Sequence, residues 1–126
     1  MQFTEQPNEH QFFLRQADAT SVTVVDRRIR RSFVVSASEV IEDLPARNVH
    51  ELDSPAIEAI LRLHPEVVLL GTGERAVFPP QSVLAQFLQR GIGLETMGNA
   101  AAARTFNVLV GEGRQAVAAF LLPGET

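Results

Sequence analysis

Two side chains of opposite charge, Glu95 and Arg104, lie close to a polar turn in the most informative stretch of the chain, GIGLETMGNAAAARTFNVL at 91–109. A carboxylate and a guanidinium near one turn could hold a small charged ligand. The turn leads into a helix, whose free backbone N–H groups and positive dipole end suit an anion. The pattern therefore predicts a small cleft for an anionic ligand or a peptide carboxylate.

A second turn, Gly71-Thr72-Gly73, ends the preceding strand, and ligands of open α/β sheets bind beyond the carboxyl ends of parallel strands. The candidate ligand-binding residues are Gly71, Thr72, Gly73, Glu95, Thr96, Met97, Gly98, Asn99, Arg104 and Asn107. In the alternative interpretation, Glu95 and Arg104 pair or cap local backbone, Asn99 caps the helix, and the glycines only make tight turns. The sequence favours this alternative, because most such polar groups serve the fold.

The run GTGERA at 71–76 also matches the G-x-G-x-x-A pattern of dinucleotide-binding turns. Glu95 ends the next strand, where an acid that binds ribose would lie. That pattern, however, requires a helix that starts at the second glycine, so that the helix dipole meets the pyrophosphate. Phe78-Pro79-Pro80 delays the helix by several residues, so we expect a wide turn and no cofactor.

Four arginines, Arg27, Arg28, Arg30 and Arg31, surround Ile29 on a predicted hairpin. Such a cluster would suit a phosphate group or an acidic partner. The alternative is a solvated turn whose charges discourage edge-to-edge strand pairing, and the sequence favours it.

Other chemistry is constrained by composition. The chain has no Cys and no Lys, which excludes disulfides, thiol nucleophiles and Schiff bases. His10, His50 and His64 are isolated and predict no metal site.

Length and charge indicate one domain over residues 1–126, with a formal net charge of −4 that predicts no nucleic-acid binding. No apolar run approaches the roughly 20 residues of a membrane-spanning helix. We expect a cytoplasmic protein that is a monomer or a weak homodimer. Residues 1–18 should be extended or loosely ordered, with Phe12, Phe13 and Leu14 held against the core.

The pattern of apolar residues and turn signals predicts alternating elements. Strands are predicted at 21–25, 29–36, 67–70, 92–96 and 116–122, helices at 54–64, 78–90 and 99–110, a hairpin turn at 26–28, and a loop with one turn of structure at 37–52. Ser54 should cap the first helix, ahead of Pro55. The second helix should bury Val83, Leu84, Phe87 and Leu88, and the third should bury Ala102, Phe106, Leu109 and Val110. This order predicts an α/β three-layer sandwich with an N-terminal β-hairpin, three helices and a mixed, mainly parallel sheet.

The ordered motifs VVLLGTG at 67–73, GIGLETM at 91–97, AAARTFNVL at 101–109 and EGR at 112–114 resemble a small domain family of mostly unknown function. Its eukaryotic branch includes mitochondrial respiratory complex I assembly factor 3, and its prokaryotic branch consists largely of uncharacterised single-domain proteins. The resemblance implies a central mixed five-stranded sheet and no known catalytic residue or cofactor. Gly98-Asn99 stands where many relatives have Asp-Thr, and Ala103 where some have Cys, so an acid- or thiol-dependent reaction of those relatives could not use the same groups here.

Two functions follow as hypotheses. The first is a non-enzymatic binding or assembly module with a protein partner, which the resemblance and the absence of a complete catalytic motif favour. The alternative is a small-molecule or anion-binding protein, or an enzyme, that uses the cleft at the ends of the strands 67–70 and 92–96.

Overall fold

The computed structural model describes residues 12–124, which form a three-layer α/β fold. The strands are β1 (Leu14–Ala17), β2 (Val22–Val24), β3 (Arg27–Ile29), β4 (Arg31–Val35), β5 (Val40–Ile41), β6 (Val67–Gly71), β7 (Gly93–Met97) and β8 (Ala116–Pro123). The helices are α1 (Ser54–Leu61), α2 (Gln81–Leu88) and α3 (Asn99–Gly111), and a 3-10 turn covers Val49–Glu51. The predicted α/β class and the three helices are confirmed.

The central sheet has five strands in the order β5-β4-β8-β6-β7. β8, β6 and β7 run parallel, whereas β4 pairs antiparallel with both β8 and β5, so the sheet is mixed as predicted. β6 and β8 are buried along almost their whole length, as expected of strands covered on both faces. β7 forms one edge of this sheet.

Two apolar cores lie on opposite faces of the central sheet. α1 and α2 cover one face, where Ile57, Ile60 and Phe87 pack against the sheet. α3 and the strands β1 to β3 cover the other, where Phe106 packs with Phe33 and Phe120. The rings of these last two residues stack with centroids 5.2 Å apart, which ties β4 to β8.

The N-terminal hairpin differs in two respects from the prediction. Its turn is Val25–Asp26, so Arg27 and Arg28 belong to β3. The single strand predicted at 29–36 is divided at Arg30, because the chain passes there from one sheet to another. β1, β2 and β3 form a separate antiparallel three-stranded sheet, whose first strand falls within the segment predicted as extended or loosely ordered.

Other boundaries and contacts also differ from the expectations. Asp53, one residue before the predicted cap, caps α1 by accepting a hydrogen bond from the Ala56 N–H. Phe13 and Leu88 were both expected to be buried, yet Phe13 is 57% exposed and Leu88 is 70% exposed. Leu88 lies in the last turn of the short helix α2, whose inward positions are filled by Val83 and Phe87. The predicted loop at 37–52 contains β5 as well as the 3-10 turn.

Candidate functional site

The carboxyl ends of β6 and β7 meet, as the sequence predicts for consecutive parallel strands. Gly71 lies opposite Met97 in the register of the two strands. Immediately beyond, the Thr72 N–H donates to the Met97 carbonyl over 3.1 Å, and the Asn99 N–H donates to the Gly73 carbonyl over 2.7 Å. The turns after both strands are therefore joined by backbone hydrogen bonds; we call this arrangement, residues 71–73 and 97–99, the strand-end turn.

Asn99 is fully buried at the centre of the strand-end turn. Its Oδ1 accepts a hydrogen bond from the Gly73 N–H over 3.1 Å, and its Nδ2 donates to the Asp18 carbonyl over 2.9 Å. The prediction that Asn99 caps α3 is wrong, because Gly98 occupies the capping position and Asn99 is the first helical residue. The amide side chain joins two loops that are far apart in sequence.

Two glycines bring backbone close to neighbouring groups at this turn. A Cβ atom on Gly71 would lie 2.5 Å from Asn99 Oδ1 and 2.8 Å from Phe120 Cδ1. A Cβ atom on Gly98 would lie 2.8 Å from the Glu74 carbonyl oxygen. These approaches exclude any larger side chain without movement of the chain.

The Thr72 hydroxyl is also engaged by the protein itself. It donates to the Arg75 carbonyl over 2.7 Å and accepts from the Val77 N–H over 2.9 Å, which fixes the loop that follows β6. The side chains of Thr72 and Asn99 thus form their hydrogen bonds with backbone groups of the protein itself.

Glu95 and Arg104 are both exposed and belong to different elements, β7 and α3. Glu95 is on the edge strand β7, at the position opposite Leu69. Arg104 is on α3, three residues before Asn107, whose amide donates to the Leu14 carbonyl over 2.7 Å and accepts from the Leu14 N–H over 3.0 Å. Since positions three apart share one side of a helix, Arg104 lies on the side of α3 next to β1. Within residues 12–124, neither Glu95 nor Arg104 forms an ion pair.

The remaining residues predicted to bind a ligand, Thr96 and Met97, both lie on β7. Both are partly buried, and Met97 packs against the core beneath α3. The structure therefore brings Gly71, Thr72, Gly73, Met97, Gly98 and Asn99 together at the strand-end turn, whereas Glu95 and Thr96 lie along β7 and Arg104 and Asn107 lie along α3.

A shallow cleft of about 440 Å³ lies beside the strand-end turn, between the β1–β2 connection and the start of α3. Asp18, Thr20, Gly73, Glu74 and Ala100 contribute to its walls. The Asp18 carboxylate accepts from the Thr20 and Ser21 N–H groups over 3.0 Å and 2.9 Å. These backbone hydrogen bonds, that of Thr20 above all, lower the pKa of Asp18 below its ordinary value of 3.8.

Asp18 is a residue that our sequence reasoning missed. An aspartate followed two and three residues later by Thr and Ser is typical of a turn closed by the aspartate side chain, so the signal was available. Its contact with Asn99 joins residues 81 positions apart and could not be read from local sequence.

The arginines of the hairpin form a second polar surface. Arg27 forms a bidentate ion pair with Glu42, in which Nη2 lies 2.6 Å from Oε1. Arg28 donates through Nε to the Ser21 hydroxyl over 3.2 Å. In the part of the chain that the structure describes, Arg28, Arg30 and Arg31 contact no carboxylate within ion-pair distance.

The described residues hold no cluster of His, Asp and Glu that could bind a metal ion. No helix among them is long and apolar enough to cross a bilayer. His10, noted in the sequence, lies outside the described residues.

Comparison with known proteins identifies relatives that match this chain over nearly the whole fold. Residues 14–121 match the model of a protein family of unknown function (DUF498/DUF598). The chain belongs to this family. The match runs from β1 to β8, and so includes the strand-end turn and the hairpin arginines.

Two curated relatives extend the comparison. The human NADH dehydrogenase [ubiquinone] 1 alpha subcomplex assembly factor 3 is 31% identical in an alignment 122 residues long, which covers 87% of this chain and 66% of the relative. The 13 kDa major membrane protein of Francisella tularensis is 30% identical over 82 residues, or 64% of this chain and 67% of the relative. The matched regions thus span about two thirds of each relative's length.

Solved structures have the same fold. The solution structure of XCC1710 from Xanthomonas campestris superposes with a TM-score of 0.85 and 41% identity, over 100% of this chain and 96% of that one. A Mth938-like domain from Bordetella pertussis superposes with a TM-score of 0.79 over 100% and 95% of the two chains. At 21% identity, the second likeness concerns the fold alone.

Proposed function

We propose that this chain is a non-enzymatic binding module that assists the assembly of a protein complex. The observation that carries the proposal is the relationship to the human assembly factor, which extends over 87% of the chain. A match of this extent covers most of the three-layer domain and not one motif.

The chemistry of the strand-end turn supports a binding role over a catalytic one. Asn99 and Thr72 direct their polar atoms to backbone groups of the protein. A nucleophile or a general base needs a polar atom that is free to reach a substrate. Within the described residues, Glu95 and Arg104, the two ionisable residues predicted for this site, form no ion pair with each other.

The test is the recovery of a partner. The chain carries an affinity tag at its native expression level, complexes are fixed by a reversible cross-linker, and the eluate is examined by native mass spectrometry beside an unrelated tagged protein of similar size. We expect a defined protein in a fixed molar ratio to the chain. Recovery of the chain alone, or of the same proteins as the control, contradicts the proposal.

A second function, the binding of a small anion, is favoured by the cleft beside the strand-end turn. We propose for it the same residues as in the sequence: Gly71, Thr72, Gly73, Glu95, Thr96, Met97, Gly98, Asn99, Arg104 and Asn107. Ala100 lines the cleft near the positive end of α3, and Arg104 follows one turn later on the same side of the helix. The carboxylate of Asp18 on the opposite wall opposes an anion, which ranks this function below the first.

Titration of the isotope-labelled protein with inorganic phosphate tests the second function. Saturable chemical-shift changes at Gly73, Ala100 and Ala101 that are lost in Arg104→Gln would support it. Changes that are unsaturated at high phosphate, or that persist unaltered in the variant, contradict it.

A further inference from the structure

The tip of the β2–β3 hairpin has a strained backbone and exposes apolar side chains. Val25, the first of its two turn residues, has a φ of 57°, a left-handed conformation that β-branched residues rarely adopt. Its side chain is 43% exposed, and its N–H donates to the carbonyl of Phe13, which is itself exposed. A strained, exposed valine beside an exposed phenylalanine has no role in the core, so the fold alone does not account for it.

A groove of about 550 Å³ lies directly beneath this tip. Its apolar floor consists of Phe12, Val24, Ile29 and Val40. Its rim carries the exposed Val25 and the charged residues Asp26, Arg27, Glu39 and Glu42, so an acidic partner must direct its carboxylates away from this rim. We call it the hairpin groove. A concave surface with an apolar floor and a polar rim is typical of sites that receive one large apolar side chain of a ligand or partner.

A second, shallower cleft of about 350 Å³ continues from the hairpin groove. It is lined by Arg27, Arg28, Arg30 and Arg31, and it shares Arg27, Ile29 and Glu42 with the groove. We call it the arginine cleft. The Arg27–Glu42 ion pair separates the hairpin groove from the arginine cleft. Since Glu42 neutralises the charge of Arg27, the positive charge of the cleft comes from Arg28, Arg30 and Arg31.

We propose that the hairpin groove and the arginine cleft together bind an acidic segment of a partner protein, with one apolar residue in the groove and carboxylates on the arginines. This inference rests on the proposed binding function and names the surface and the chemistry of the partner. Arginine suits the role, because its planar guanidinium binds carboxylates in a bidentate manner and is enriched with aromatic residues at the centres of interfaces.

The concave shape of the hairpin groove and the net charge of the chain favour a protein segment over an anionic membrane as the binding partner. A bilayer can accept a protruding apolar tip, but it cannot fill an apolar floor that lies below a rim of side chains. The formal charge of the whole chain is −4, which opposes approach to an extended anionic surface, whereas a single acidic segment meets only the local field of the cleft. The geometry therefore favours the segment.

The experiment is a selection of peptides from a random phage-displayed library on the full chain. The variant Arg30→Glu/Arg31→Glu is compared with the control Arg75→Glu/Arg90→Glu, which changes the net charge by the same amount at exposed sites on the α2 side. Circular dichroism confirms folding, and Arg30→Gln/Arg31→Gln serves as the milder variant. Synthetic peptides from the selection are then titrated into each protein by fluorescence anisotropy.

We expect selected peptides to combine acidic residues with a large apolar residue. Their affinity should fall about tenfold or more in Arg30→Glu/Arg31→Glu and remain within about twofold in the control. Selection of no peptide, of peptides without acidic enrichment, or of peptides that bind both variants equally would overturn the inference. Binding to vesicles of phosphatidylcholine and phosphatidylglycerol that depends on Arg30 and Arg31, without peptide selection, would replace it with a membrane surface.

The two levels of the proposal fail in distinguishable ways. If the tagged chain recovers a partner that Arg30→Glu/Arg31→Glu still retains, the binding function stands and this surface is wrong. If the wild-type chain recovers no partner and selects no peptide, both are wrong. Self-association through the same arginines would appear as a dimer in native mass spectrometry that the double variant abolishes, and would also overturn the acidic-segment proposal.

Discussion

The strand-end turn connects strands to helices, and the hairpin tip connects two strands. The polar groups of the first bond within the protein, whereas those of the second are mostly exposed. At the strand-end turn a fully buried Asn99 bonds to two loops, and glycines allow backbones to approach closely. At the hairpin tip an apolar residue sits in a strained, exposed conformation, and arginines extend from the adjacent strand. The first region stabilises the fold, and the second remains available to a partner.

This contrast shows why residue type alone misdirects a search for function. Glycine, threonine and asparagine at strand ends are typical of ligand sites, but they are equally suited to joining loops. An arginine-rich hairpin is usually only a solvated turn. Burial and hydrogen-bond partners, which the structure supplies, support the structural interpretation of the strand-end turn that the sequence already favoured.

The largest effect is expected from Asn99→Ala. Removal of the amide leaves the Gly73 N–H and the Asp18 carbonyl, in part-buried surroundings, without their partner, and leaves a void where the fully buried side chain packed. Each unsatisfied buried group costs about 1–3 kcal/mol, so we expect the free energy of unfolding to fall by about 3 kcal/mol. Urea unfolding followed by circular dichroism measures this.

The comparison of regions supplies the control for this variant. Asn48→Ala removes an exposed asparagine that caps the 3-10 turn and accepts from the His50 N–H. Its cost should be about 1 kcal/mol or less, the usual value of such a cap. Equal effects of Asn99→Ala and Asn48→Ala would mean that the strand-end turn has no special structural role.

The next largest effect is expected from Gly71→Ala. The added methyl group would overlap Asn99 Oδ1 and the Phe120 ring, and neither neighbour is free to move far in the core. Overpacking of this kind costs about 1–3 kcal/mol. Thermal unfolding of Gly71→Ala should show a clear decrease in Tm.

Gly111→Ala is the matched control. Gly111 ends α3, no atom lies within contact distance of an added Cβ, and its backbone is helical. Alanine should raise stability by about 0.5 kcal/mol through its higher helix propensity and lower unfolded-state entropy. If the two alanine variants had the same Tm, tight packing at Gly71 would be refuted.

The order of helices and strands could be predicted from the sequence because the residues that begin and end each element are local in sequence. Pro55 and Pro65 bound the first helix region, the glycines at 71–73 end β6, and the apolar run of β6 indicated a strand buried on both faces. Which sheet the hairpin joins was not predictable, because β1 and α3 meet through contacts such as Asn107 with Leu14, 93 residues apart.

The candidate site was predictable only in part, for the same physical reason. Register brings Gly71 and Met97 together, and consecutive parallel strands make that meeting foreseeable. The orientation of Glu95 and Arg104 depends on which edge β7 occupies and on which side of α3 faces β1, and both are set by tertiary packing. Charge and spacing suggested a pair, whereas in the described residues Glu95 and Arg104 form no ion pair.

A smaller effect of opposite sign is expected at the hairpin tip. Val25→Asn replaces a β-branched residue at positive φ with one that tolerates this conformation at two-residue hairpin turns. Relief of the strain should raise the free energy of unfolding by about 1 kcal/mol, at the lower end of the usual cost of such backbone outliers. Urea unfolding measures this change.

The same Val25→Asn protein should bind the selected acidic peptides more weakly, since the groove loses part of its apolar rim. Val77→Asn, at an exposed valine far from the hairpin and not at positive φ, should leave both quantities nearly unchanged. A gain in stability with unaltered peptide affinity would show that the strained tip serves no partner.

The smallest effect is expected from the Arg27–Glu42 ion pair that separates the hairpin groove from the arginine cleft. The hydrogen bonds from Arg27, followed by its charge, lower the pKa of the Glu42 carboxyl below its ordinary value of 4.5. The folded state therefore binds this proton less readily than the unfolded state, and the pair contributes stability that is present above pH 4.5 and is lost as the pH falls through the lowered pKa. Because the Arg27 side chain is largely exposed and that of Glu42 is partly exposed, solvent screens the pair, and Glu42→Gln should cost only about 0.5 kcal/mol at pH 7. The difference in free energy of unfolding between wild type and Glu42→Gln, measured by urea titration from pH 7 to pH 3, should shrink toward zero on the acid side. If this difference grows as the pH falls, Arg27 and Glu42 do not form a stabilising ion pair, and the pair cannot be the boundary between the hairpin groove and the arginine cleft.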